Sequence, residues 1–270
     1  MTQEISATRP LDAGLADALT TLVARAAAAI LAVAPAALAT RLKADHTPVT
    51  AADEAADAVI AGGLARLLPG LAVVSEEGVR RAEAPGDTFA LVDPLDGTKE
   101  FVAGRDEYTV NVAIIAGGRP IAGFIAAPAL GLMFRGVVGR GAERLPLAGG
   151  RAAAAIHCRA NPAEPLVAAV SRSHLDPDTT AFLDRLGVTR RITCGSSLKF
   201  CRIAEGAADV YPRFSPTSEW DIAAGHAIVT AAGGIMTAPS GAPLHYGRAS
   251  ADFKVPGFVV WGDASRRVDA

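Results

Sequence analysis

The segment that most constrains this chain is Asp93-Pro94-Leu95-Asp96-Gly97-Thr98-Lys99-Glu100, which directly follows the apolar run Phe89-Ala90-Leu91-Val92. An apolar run bounded by turn residues is typical of a buried strand, so both aspartates are predicted at its carboxyl end, where α/β proteins bind ligands. Gly97 permits a tight bend there, and Thr98 is predicted to cap a helix. Carboxylates beside a helix N-terminus suit a cation that carries a phosphate group.

Two further groups of acids stand at predicted turns. Ser75-Glu76-Glu77 follows the short apolar run 71–74, and Asp221 lies in Trp220-Asp221-Ile222-Ala223-Ala224-Gly225. Hard divalent cations such as Mg²⁺ prefer several oxygen ligands, and two such ions can together activate a nucleophile and neutralise a leaving group. Taken singly, each acid is more simply a surface charge or a helix cap. The combination in one chain predicts a divalent-cation site.

The charge balance argues against a nucleic-acid polymer as the partner. The chain has 270 residues, of which 26 are basic and 28 acidic, for a net charge of -2. This composition leaves no basic field for a polyanion, so a small-molecule partner is expected. Hydrophobic residues make up 50% of the chain, which is enough for a large core. The three cysteines have no CxxC spacing, so neither a disulfide framework nor a zinc site is predicted.

The sequence favours a cytoplasmic protein with no integral membrane segment. The N-terminus lacks the basic start and apolar core of a signal peptide. The longest apolar tract, residues 15–38, carries Asp17, Arg25 and Pro35 and has more Ala than Leu, so it is predicted to be an amphipathic or buried helix. Peripheral association with the inner membrane face stays open.

The order of predicted elements indicates two α/β parts. Thr50 and Asp53 are predicted to be the N-cap and N3 residues of a helix. Three β-rich runs, 108–115, 121–126 and 132–138, predict an antiparallel meander. The stretch 139–165 is rich in Gly, Ala and Pro and is the predicted boundary between two lobes. Beyond it, strand-like and helix-like runs alternate, as expected for a second α/β layer.

Longer motifs carry a resemblance to a known family. Asp93-Pro94-Leu95-Asp96-Gly97-Thr98, Ser75-Glu76-Glu77 and Trp220-Asp221-Ile222-Ala223-Ala224-Gly225 resemble the three signatures of the inositol monophosphatase superfamily of lithium-sensitive, magnesium-dependent phosphatases. Within it, the chain resembles the bacterial 3'(2'),5'-bisphosphate nucleotidases of the CysQ type. The motifs that favour this type are Lys99-Glu100-Phe101, Tyr108-Thr109-Val110-Asn111-Val112-Ala113, Ser171-Arg172-Ser173-His174, Gly195-Ser196-Ser197-Leu198-Lys199-Phe200-Cys201 and Ala204-Glu205-Gly206-Ala207-Ala208-Asp209-Val210-Tyr211-Pro212-Arg213.

The resemblance implies an α/β (α+β) fold, the layered αβαβα sandwich of the sugar phosphatases, as one unit over residues 1–270. Its lobes would span about 1–150 for the metals and the scissile phosphate, and about 151–270 for nucleotide specificity. The implied reaction is hydrolysis of the 3'-phosphate of adenosine 3',5'-bisphosphate to AMP and phosphate, with 3'-phosphoadenylyl sulfate as a second candidate substrate. The alternatives are an inositol or fructose phosphatase of the same fold and a non-catalytic protein that binds a phosphorylated metabolite. A monomer or a homodimer is expected.

The resemblance also implies site residues, with two or three Mg²⁺ ions as cofactors. The positions that match metal ligands are Glu76, Asp93, the carbonyl of Leu95, Asp96 and Asp221. Asp53 and Thr98 match the pair that polarises the attacking water, and Glu77 matches a neighbouring acid that assists. Backbone N–H groups of Gly97 and Thr98 would bind the scissile phosphate. Glu76, Leu95, Asp96 and Asp221 are therefore expected to lie against the substrate as well.

Specificity is expected from the second lobe, because a remote 5'-phosphate needs cations and hydroxyls far from the metals. The candidates in the matching motifs are His174, Ser196, Lys199 and Arg213. For His174 a capping or core role is an equal alternative. Lys43 matches a lysine near the metals, with a solvated loop lysine as the alternative. Cys194 and Cys201 are predicted to be buried packing residues.

Overall fold

The structure is a computed structural model that describes residues 11–33, 41–42, 48–78, 85–147, 152–173 and 175–268. Two large β-sheets alternate with layers of helices. The α-helices are α1 (Ala13–Ala32), α2 (Ala51–Leu67), α3 (Thr98–Val102), α4 (Pro177–Arg185), α5 (Leu198–Ala204) and α6 (Glu219–Ala231). Two short 3₁₀ helices lie at Ala249–Ala251 and Ala264–Arg266.

The first half of the chain forms one large, mostly antiparallel sheet. The strands of this half are β1 (Arg41–Leu42), β2 (Pro48–Val49), β3 (Ala72–Ser75), β4 (Thr88–Asp96), β5 (Thr109–Ala116), β6 (Arg119–Ala127), β7 (Leu132–Val137), β8 (Gly141–Pro146) and β9 (Ala154–Ile156). β1 and β2 pair only with each other, and the other seven strands form a sheet in the order β3-β4-β5-β6-β7-β8-β9. Only β3 and β4 run parallel in it. The predicted meander is confirmed as β5, β6 and β7.

The second half of the chain forms a smaller, mixed sheet. Its strands are β10 (Val167–Ser171), β11 (Arg190–Cys194), β12 (Val210–Arg213), β13 (Thr217–Ser218), β14 (Ile235–Thr237), β15 (Lys254–Val255) and β16 (Phe258–Trp261). Five of them form a sheet in the order β11-β10-β12-β16-β14, and β13 and β15 form a separate pair. β10 runs parallel to both β11 and β12, whereas β16 is antiparallel to its neighbours.

Side-chain alternation along each strand builds the layers. In β4, Ala90 and Val92 pack with α1 and α2, while Phe89 and Leu91 face the opposite way and pack with α5 and α6. The second sheet covers the other side of α5 and α6, and its outer face packs against α4 through Phe182. The layers therefore run α, β, α, β, α, which confirms the expected αβαβα sandwich.

The stretch 139–165 is not simply a connection between lobes. β8 and β9 both lie in it, and both extend the first sheet. β8 pairs with β7 across a short turn, where Arg135 Nε donates to Glu143 Oε2 at 2.7 Å, but the Gly, Ala and Pro residues of this stretch hid the strand. The described chain leaves the first sheet after Ile156 and enters the second at Val167. The division into lobes at about residue 150 stays a prediction. The chain passes from the first sheet to the second between residues 156 and 167.

Helix α1 belongs to the core. By length and composition alone it could cross a membrane, and it is the one helix in the described ranges of which this is true. Its face that carries Leu19, Val23 and Ile30 is buried in a cluster with α2 and the first sheet. The prediction of a buried helix is thus confirmed for α1, whereas residues 34–38 of the predicted tract lie outside the described residues.

Helix α6 lies directly on the first sheet, at positions where the strands carry glycine. A β-carbon on Gly123 of β6 would lie 2.2 Å from the carbonyl oxygen of Ala224, and one on Gly136 of β7 would lie 2.6 Å from the Cα of Ile228. Both obstacles are backbone atoms, which cannot move aside without displacing the helix. This close approach fixes the position of α6 against the sheet that carries β4.

We expect Gly123→Ala to lower the free energy of unfolding by about 1–3 kcal/mol, because the added methyl group overpacks the contact between β6 and α6. Gly62→Ala in α2 is the matched control, since its β-carbon would meet nothing closer than Arg66 Nη1 at 3.6 Å. That change should instead stabilise the helix by about 0.5–1 kcal/mol. Chemical denaturation measures both, and two changes of the same sign would contradict this account of the packing.

Candidate active site

A cleft of about 660 Å³ opens between the end of β4 and the beginnings of α5 and α6. It brings together most of the residues predicted from the sequence. The predicted residues that line it are Glu76, Asp93, Leu95, Asp96, Gly97, Thr98, Ser196, Lys199, Arg213 and Asp221. Asp53 and Glu77 are not in its lining, and His174 and Lys43 lie outside the described residues.

Asp93 is the electrostatic centre of the acidic side of the cleft. Its side chain is 1% exposed, and burial raises the pKa of the carboxyl group well above its usual range. The negative charges of four further acids, Glu76, Asp96, Asp221 and Asp53, raise the pKa further. β3 places Glu76 there, because the Glu76 backbone N–H donates to the Val92 carbonyl at 3.1 Å. Five carboxyl groups therefore share one region, as the sequence predicts.

The backbone leaves regular pairing at the motif itself. The register of β4 against β5 shifts between Asp93 and Asp96, where Pro94 has no N–H group to donate. Asp93 Oδ1 accepts a hydrogen bond from the Leu95 N–H at 3.1 Å, which closes the turn. Asp93 still pairs with Asn111 and Asp96 with Thr109, and the irregular step between the two acids lies in the lining of the cleft.

The prediction that Thr98 caps α3 is wrong. The N-cap residue is Gly97, in the left-handed region with φ 90°, and no side-chain cap bond is formed. The Thr98 hydroxyl instead lies 3.1 Å from Asp53 Oδ1 and 3.2 Å from the Leu95 carbonyl oxygen. The Thr98 hydroxyl is thus placed by one contact across the fold, to Asp53, and by one within the turn, to Leu95.

Asp53 stands behind Thr98 at the beginning of α2. The predicted capping box is present, with Asp53 Oδ2 accepting from the Thr50 N–H at 2.8 Å and from the Thr50 hydroxyl at 2.7 Å. The second oxygen, Oδ1, is the one that contacts Thr98. The cap therefore orients a carboxylate that is 2% exposed toward the Thr98 hydroxyl.

Asp96 is held by two residues that the sequence reasoning did not assign to the site. Its Oδ2 accepts from the Ser197 hydroxyl at 3.1 Å and from Asn111 Nδ2 at 3.4 Å. Burial and the charge of Asp221 raise the pKa of Asp96 to about 6, against the opposing effects of Lys199 and these hydrogen bonds. The signal for Asn111 was available, because it is the one amide side chain in the otherwise mostly apolar, fully buried strand β5.

Asp221 reaches the cleft as the N3 residue of α6. Its Oδ2 accepts from the Ser218 N–H at 3.0 Å and from the Thr217 hydroxyl, which completes a capping box. The Ser197 hydroxyl also lies 2.8 Å from the Asp221 carbonyl oxygen, so Ser197 joins Asp96 to Asp221. The simple interpretation of Asp221 as a helix cap and its interpretation as a site residue are both compatible with this geometry.

The donor set has the chemistry that hard divalent cations prefer. Several carboxylates and a carbonyl line the same cleft, and burial together with the neighbouring negative charges raises the pKa of Asp93. Within the described ranges, no three Asp, Glu, His or Cys side chains are already arranged as ligands of one ion. Asp93, Asp96 and Asp221 instead accept hydrogen bonds from neighbouring backbone, hydroxyl and amide groups. The ligand assignment therefore stays a prediction that the chemistry of the donors supports.

The opposite side of the cleft is basic. Lys199 is 3% exposed, and its Nζ donates to the carbonyl oxygens of Ser196 at 2.6 Å and Cys194 at 3.4 Å. Burial lowers the pKa of this lysine. Arg213 donates to the carbonyl oxygens of Ser215 at 3.3 Å and Pro216 at 3.0 Å. Among the residues that the structure describes, neither cation forms an ion pair with a carboxylate, so both can receive an anion.

Ser196 is committed to the backbone of the acidic side. It adopts φ 47°, and its hydroxyl lies 2.9 Å from the Asp96 carbonyl oxygen and 2.8 Å from the Glu107 carbonyl oxygen. The single hydroxyl proton is thereby taken up and is not available to a phosphate. A β-carbon on Gly97 would lie 2.2 Å from this hydroxyl, so the contact requires glycine. A substrate-binding role for Ser196 stays a prediction.

Glu107 bridges the two sides and was not predicted. Its carboxylate accepts from Arg172 Nε and Nη2, each at 2.7 Å, and from the Gly195 N–H at 2.9 Å. The Arg172 hydrogen bond lowers the pKa of Glu107. The bridge ties the segment before β5 to the loop that follows β11. Cys194 and Cys201 nearby are buried, which fits their predicted role as packing residues.

Comparison with known proteins agrees with this geometry. The model of the inositol monophosphatase family matches residues 13–256. The chain is 42% identical over 225 residues to the 3'(2'),5'-bisphosphate nucleotidase CysQ of Escherichia coli strain K12, covering 81% of this chain and 87% of that protein. The crystal structure of CysQ from Bacteroides thetaiotaomicron superposes with a TM-score of 0.77 at 34% identity, covering 94% of this chain and 98% of that one. The IMPase of Thermotoga maritima superposes with a TM-score of 0.73 at 25% identity, covering 91% of each chain.

We expect Glu107→Gln to lower the melting temperature at neutral pH. The neutral glutamine amide has one acceptor oxygen, so it cannot replace the carboxylate whose two oxygens each accept a hydrogen bond from Arg172. The pKa of Glu107 is lower in the folded chain than the ordinary value of 4.5. The ionised carboxylate therefore contributes its full stabilisation of the fold above pH 4.5, and this stabilisation is lost as the pH falls through the lowered pKa of the folded state. The difference between the two proteins should therefore shrink below about pH 4.5.

Thermal unfolding measured across the acid range tests this pH dependence. Glu164→Gln is the control, since its side chain is 60% exposed in a surface ion pair with Arg266. A melting difference for Glu107→Gln that stays constant down to acid pH would show that charge is not the cause.

Proposed function

This chain belongs to the inositol monophosphatase family, and we propose that within it the chain is a 3'(2'),5'-bisphosphate nucleotidase. The reaction is hydrolysis of the 3'-phosphate of adenosine 3',5'-bisphosphate to AMP and phosphate, with 3'-phosphoadenylyl sulfate as a second substrate. The observation that carries the proposal is that one cleft holds the acids around Asp93 together with two cations, Lys199 and Arg213, that form no ion pair with a described carboxylate. Such a cleft offers separate places for a reacting phosphate and a second phosphate.

The acidic side is proposed to bind two or three Mg²⁺ ions, and lithium is expected to lower the activity, as in the family. The proposed ligands are Glu76, Asp93, the Leu95 carbonyl, Asp96 and Asp221. Bound Mg²⁺ would supply charge neutralisation for the transferred phosphoryl group and acidify a water molecule. Backbone N–H groups of Gly97 and Thr98 are the proposed donors to the scissile phosphate.

Thr98 and Asp53 are proposed to handle the proton of the attacking water. Thr98 Oγ1 lines the cleft and can accept that proton, while its own proton passes to Asp53 Oδ1, which lies 3.1 Å away. The two hydrogen bonds from Thr50 keep the Asp53 carboxylate in this orientation. Glu77 keeps its proposed role as an assisting acid next to Glu76, although it does not line the cleft.

Lys199 and Arg213 are proposed to bind the 5'-phosphate, with His174 as a further member of that subsite. Ser196 is proposed to line the subsite and to position its loop, because its hydroxyl proton is taken up by backbone carbonyl oxygens. Two of the three Lys199 donors are occupied by carbonyl oxygens, which leaves one for an anion. A buried cation without a carboxylate partner is costly, and a bound phosphate would offset this cost. These cations favour a bisphosphorylated nucleotide over a singly phosphorylated inositol.

One experiment distinguishes the proposed function from its two alternatives. An inositol or fructose phosphatase would use the same acids, and a non-catalytic metabolite-binding protein would bind phosphate without releasing it. Release of phosphate from adenosine 3',5'-bisphosphate, inositol 1-phosphate and fructose 1,6-bisphosphate, measured side by side, separates the three. Cytoplasmic location, peripheral membrane association and a monomeric or dimeric state are proposed alongside, from sequence alone.

We expect Asp96→Asn to reduce turnover by about a hundredfold or more, because a neutral amide cannot replace a carboxylate that faces divalent cations. Phosphate release from adenosine 3',5'-bisphosphate at saturating Mg²⁺ measures the loss. The matched control is Asp184→Asn, whose carboxylate is 65% exposed in an ion pair with Arg191. Near-normal turnover by a folded Asp96→Asn protein would rule out the proposed metal site.

We expect Arg213→Ala to lower kcat/KM for adenosine 3',5'-bisphosphate by roughly ten- to a hundredfold, the effect of losing one charge-assisted hydrogen bond. Adenosine 3'-monophosphate lacks the 5'-phosphate, so its hydrolysis should change little. Arg191→Ala, in the surface ion pair with Asp184, serves as the control. Equal losses on both substrates would place Arg213 in folding or in the chemical step and remove the support for a bisphosphate subsite.

A further inference from the structure

Glu100 is a nearly buried acid in the cleft to which neither the sequence motifs nor the proposed mechanism gives a role. It occupies the N3 position of α3, two residues after Thr98. Its side chain lines the cleft and is only 7% exposed. An N3 glutamate commonly accepts a hydrogen bond from the backbone N–H of its own N-cap residue, which here is Gly97, but among the described residues no such bond joins Glu100 to Gly97.

The Glu100 carboxylate is supported from one side only. Oε1 accepts a hydrogen bond from the Ser173 hydroxyl at 2.8 Å, which comes from the loop after β10 in the second sheet. Oε2 lies 3.4 Å from the position that a β-carbon on Gly97 would occupy. Within the described ranges, no residue donates a hydrogen bond to Oε2. A carboxylate can accept about four hydrogen bonds, and a buried one without donors is costly.

The position of Oε2 decides which substrate group it can meet. Oε2 stands beside Gly97, whose N–H group is a proposed donor to the scissile phosphate. A phosphate oxygen carries no proton at neutral pH and would be repelled by the carboxylate, so the partner must be a neutral donor next to the phosphate. In a nucleotide phosphorylated at the 3' position, the neighbouring donor is the ribose 2'-hydroxyl, whereas the amino group of the base lies at the far side of the sugar.

We propose that Glu100 binds the sugar hydroxyl adjacent to the scissile phosphate ester, and that this contact is a specificity determinant of the enzyme. The proposal rests on the proposed function. Ser173 holds Oε1 in place, which leaves Oε2 to accept the substrate hydroxyl. Glu100 also interacts electrostatically with Lys199, because burial lowers the pKa of Lys199 and the negative charge of Glu100 partly offsets that lowering. The lone pairs of Oε2 therefore favour a hydrogen-bond donor on the substrate.

The experiment compares kcat/KM for adenosine 3',5'-bisphosphate with kcat/KM for its 2'-deoxy analogue. We expect the wild-type enzyme to prefer the ribose substrate by about 10- to 100-fold, the effect of one hydrogen bond to a charged group. In Glu100→Leu this preference should fall to within about threefold of unity, and in Glu100→Gln it should be intermediate. A merely structural role for Glu100 would lower both rates together and leave their ratio unchanged.

Controls and outcomes separate this proposal from the proposed function. Glu143→Gln, an acid paired with Arg135 on β7, should keep the wild-type ratio. A wild-type ratio near one, or an unchanged ratio in Glu100→Gln, overturns the role of Glu100 while leaving the nucleotidase activity intact. If Glu100→Leu does not fold, the ratio in Glu100→Gln decides. Failure of the wild-type enzyme to hydrolyse either bisphosphate would overturn the proposed function itself and the role of Glu100 with it.

Discussion

The constraint on which the rest of this structure depends is the mutual repulsion of carboxylates around Asp93. Burial raises the pKa of Asp93, and four neighbouring acids raise it further. A fold that keeps such a cluster must hold every carboxylate in place, since otherwise the charges would move apart. Each acid here with a resolved contact is held by a separate partner: Asp53 by Thr50, Asp96 by Ser197 and Asn111, and Asp221 by Ser218. The carboxylates are therefore pre-organised for a divalent cation before any ion binds.

The same arrangement explains why helix α6 must lie so close to the first sheet. Asp221 is the N3 residue of α6, while Asp93 and Asp96 are on β4, so their separation follows from how closely the helix packs. At Gly123 and Gly136 the backbone of α6 occupies the space that a side chain on the strand would otherwise fill. A shift of the helix by the width of one methyl group would move Asp221 relative to the β4 acids. Core packing and site geometry are in this sense one property of the fold.

Local sequence signals were sufficient for those parts of the site that are built within one element. The strand β4, the capping box of Thr50 and Asp53 and the meander could all be predicted from residues within a few positions of each other. Contacts between distant segments could not, because no spacing encodes them: Asn111 and Ser197 are 86 residues apart, and Glu107 and Arg172 are 65 apart. The same limit of local prediction applies to Thr98. Local propensity predicted a helix cap, whereas in the structure its hydroxyl contacts Asp53, which is 45 residues away. The strands β8 and β9 escaped prediction because Gly, Ala and Pro mask the alternation that pairing would otherwise reveal.

The division of labour between the two sheets suggests how the same acids could serve different substrates. The carboxylates come chiefly from the first sheet and the beginning of α6, while Lys199 comes from α5 and Arg213 from β12 of the second sheet. Hydrogen bonds join the two halves at the cleft, among them Ser196 with Asp96, Arg172 with Glu107, and Ser173 with Glu100. Changes in the loop after β10 can therefore alter which groups meet the substrate, whereas changes at Ser196 or Ser197 after β11 would also disturb Asp96. Those two loops carry Ser173, which holds Glu100, and Arg172 and Gly195, which hold Glu107, and the second loop leads directly into α5, which carries Lys199. Recognition of the sugar and of the second phosphate would therefore change together, and specificity in this fold is a property of the contact between the sheets rather than of any single residue.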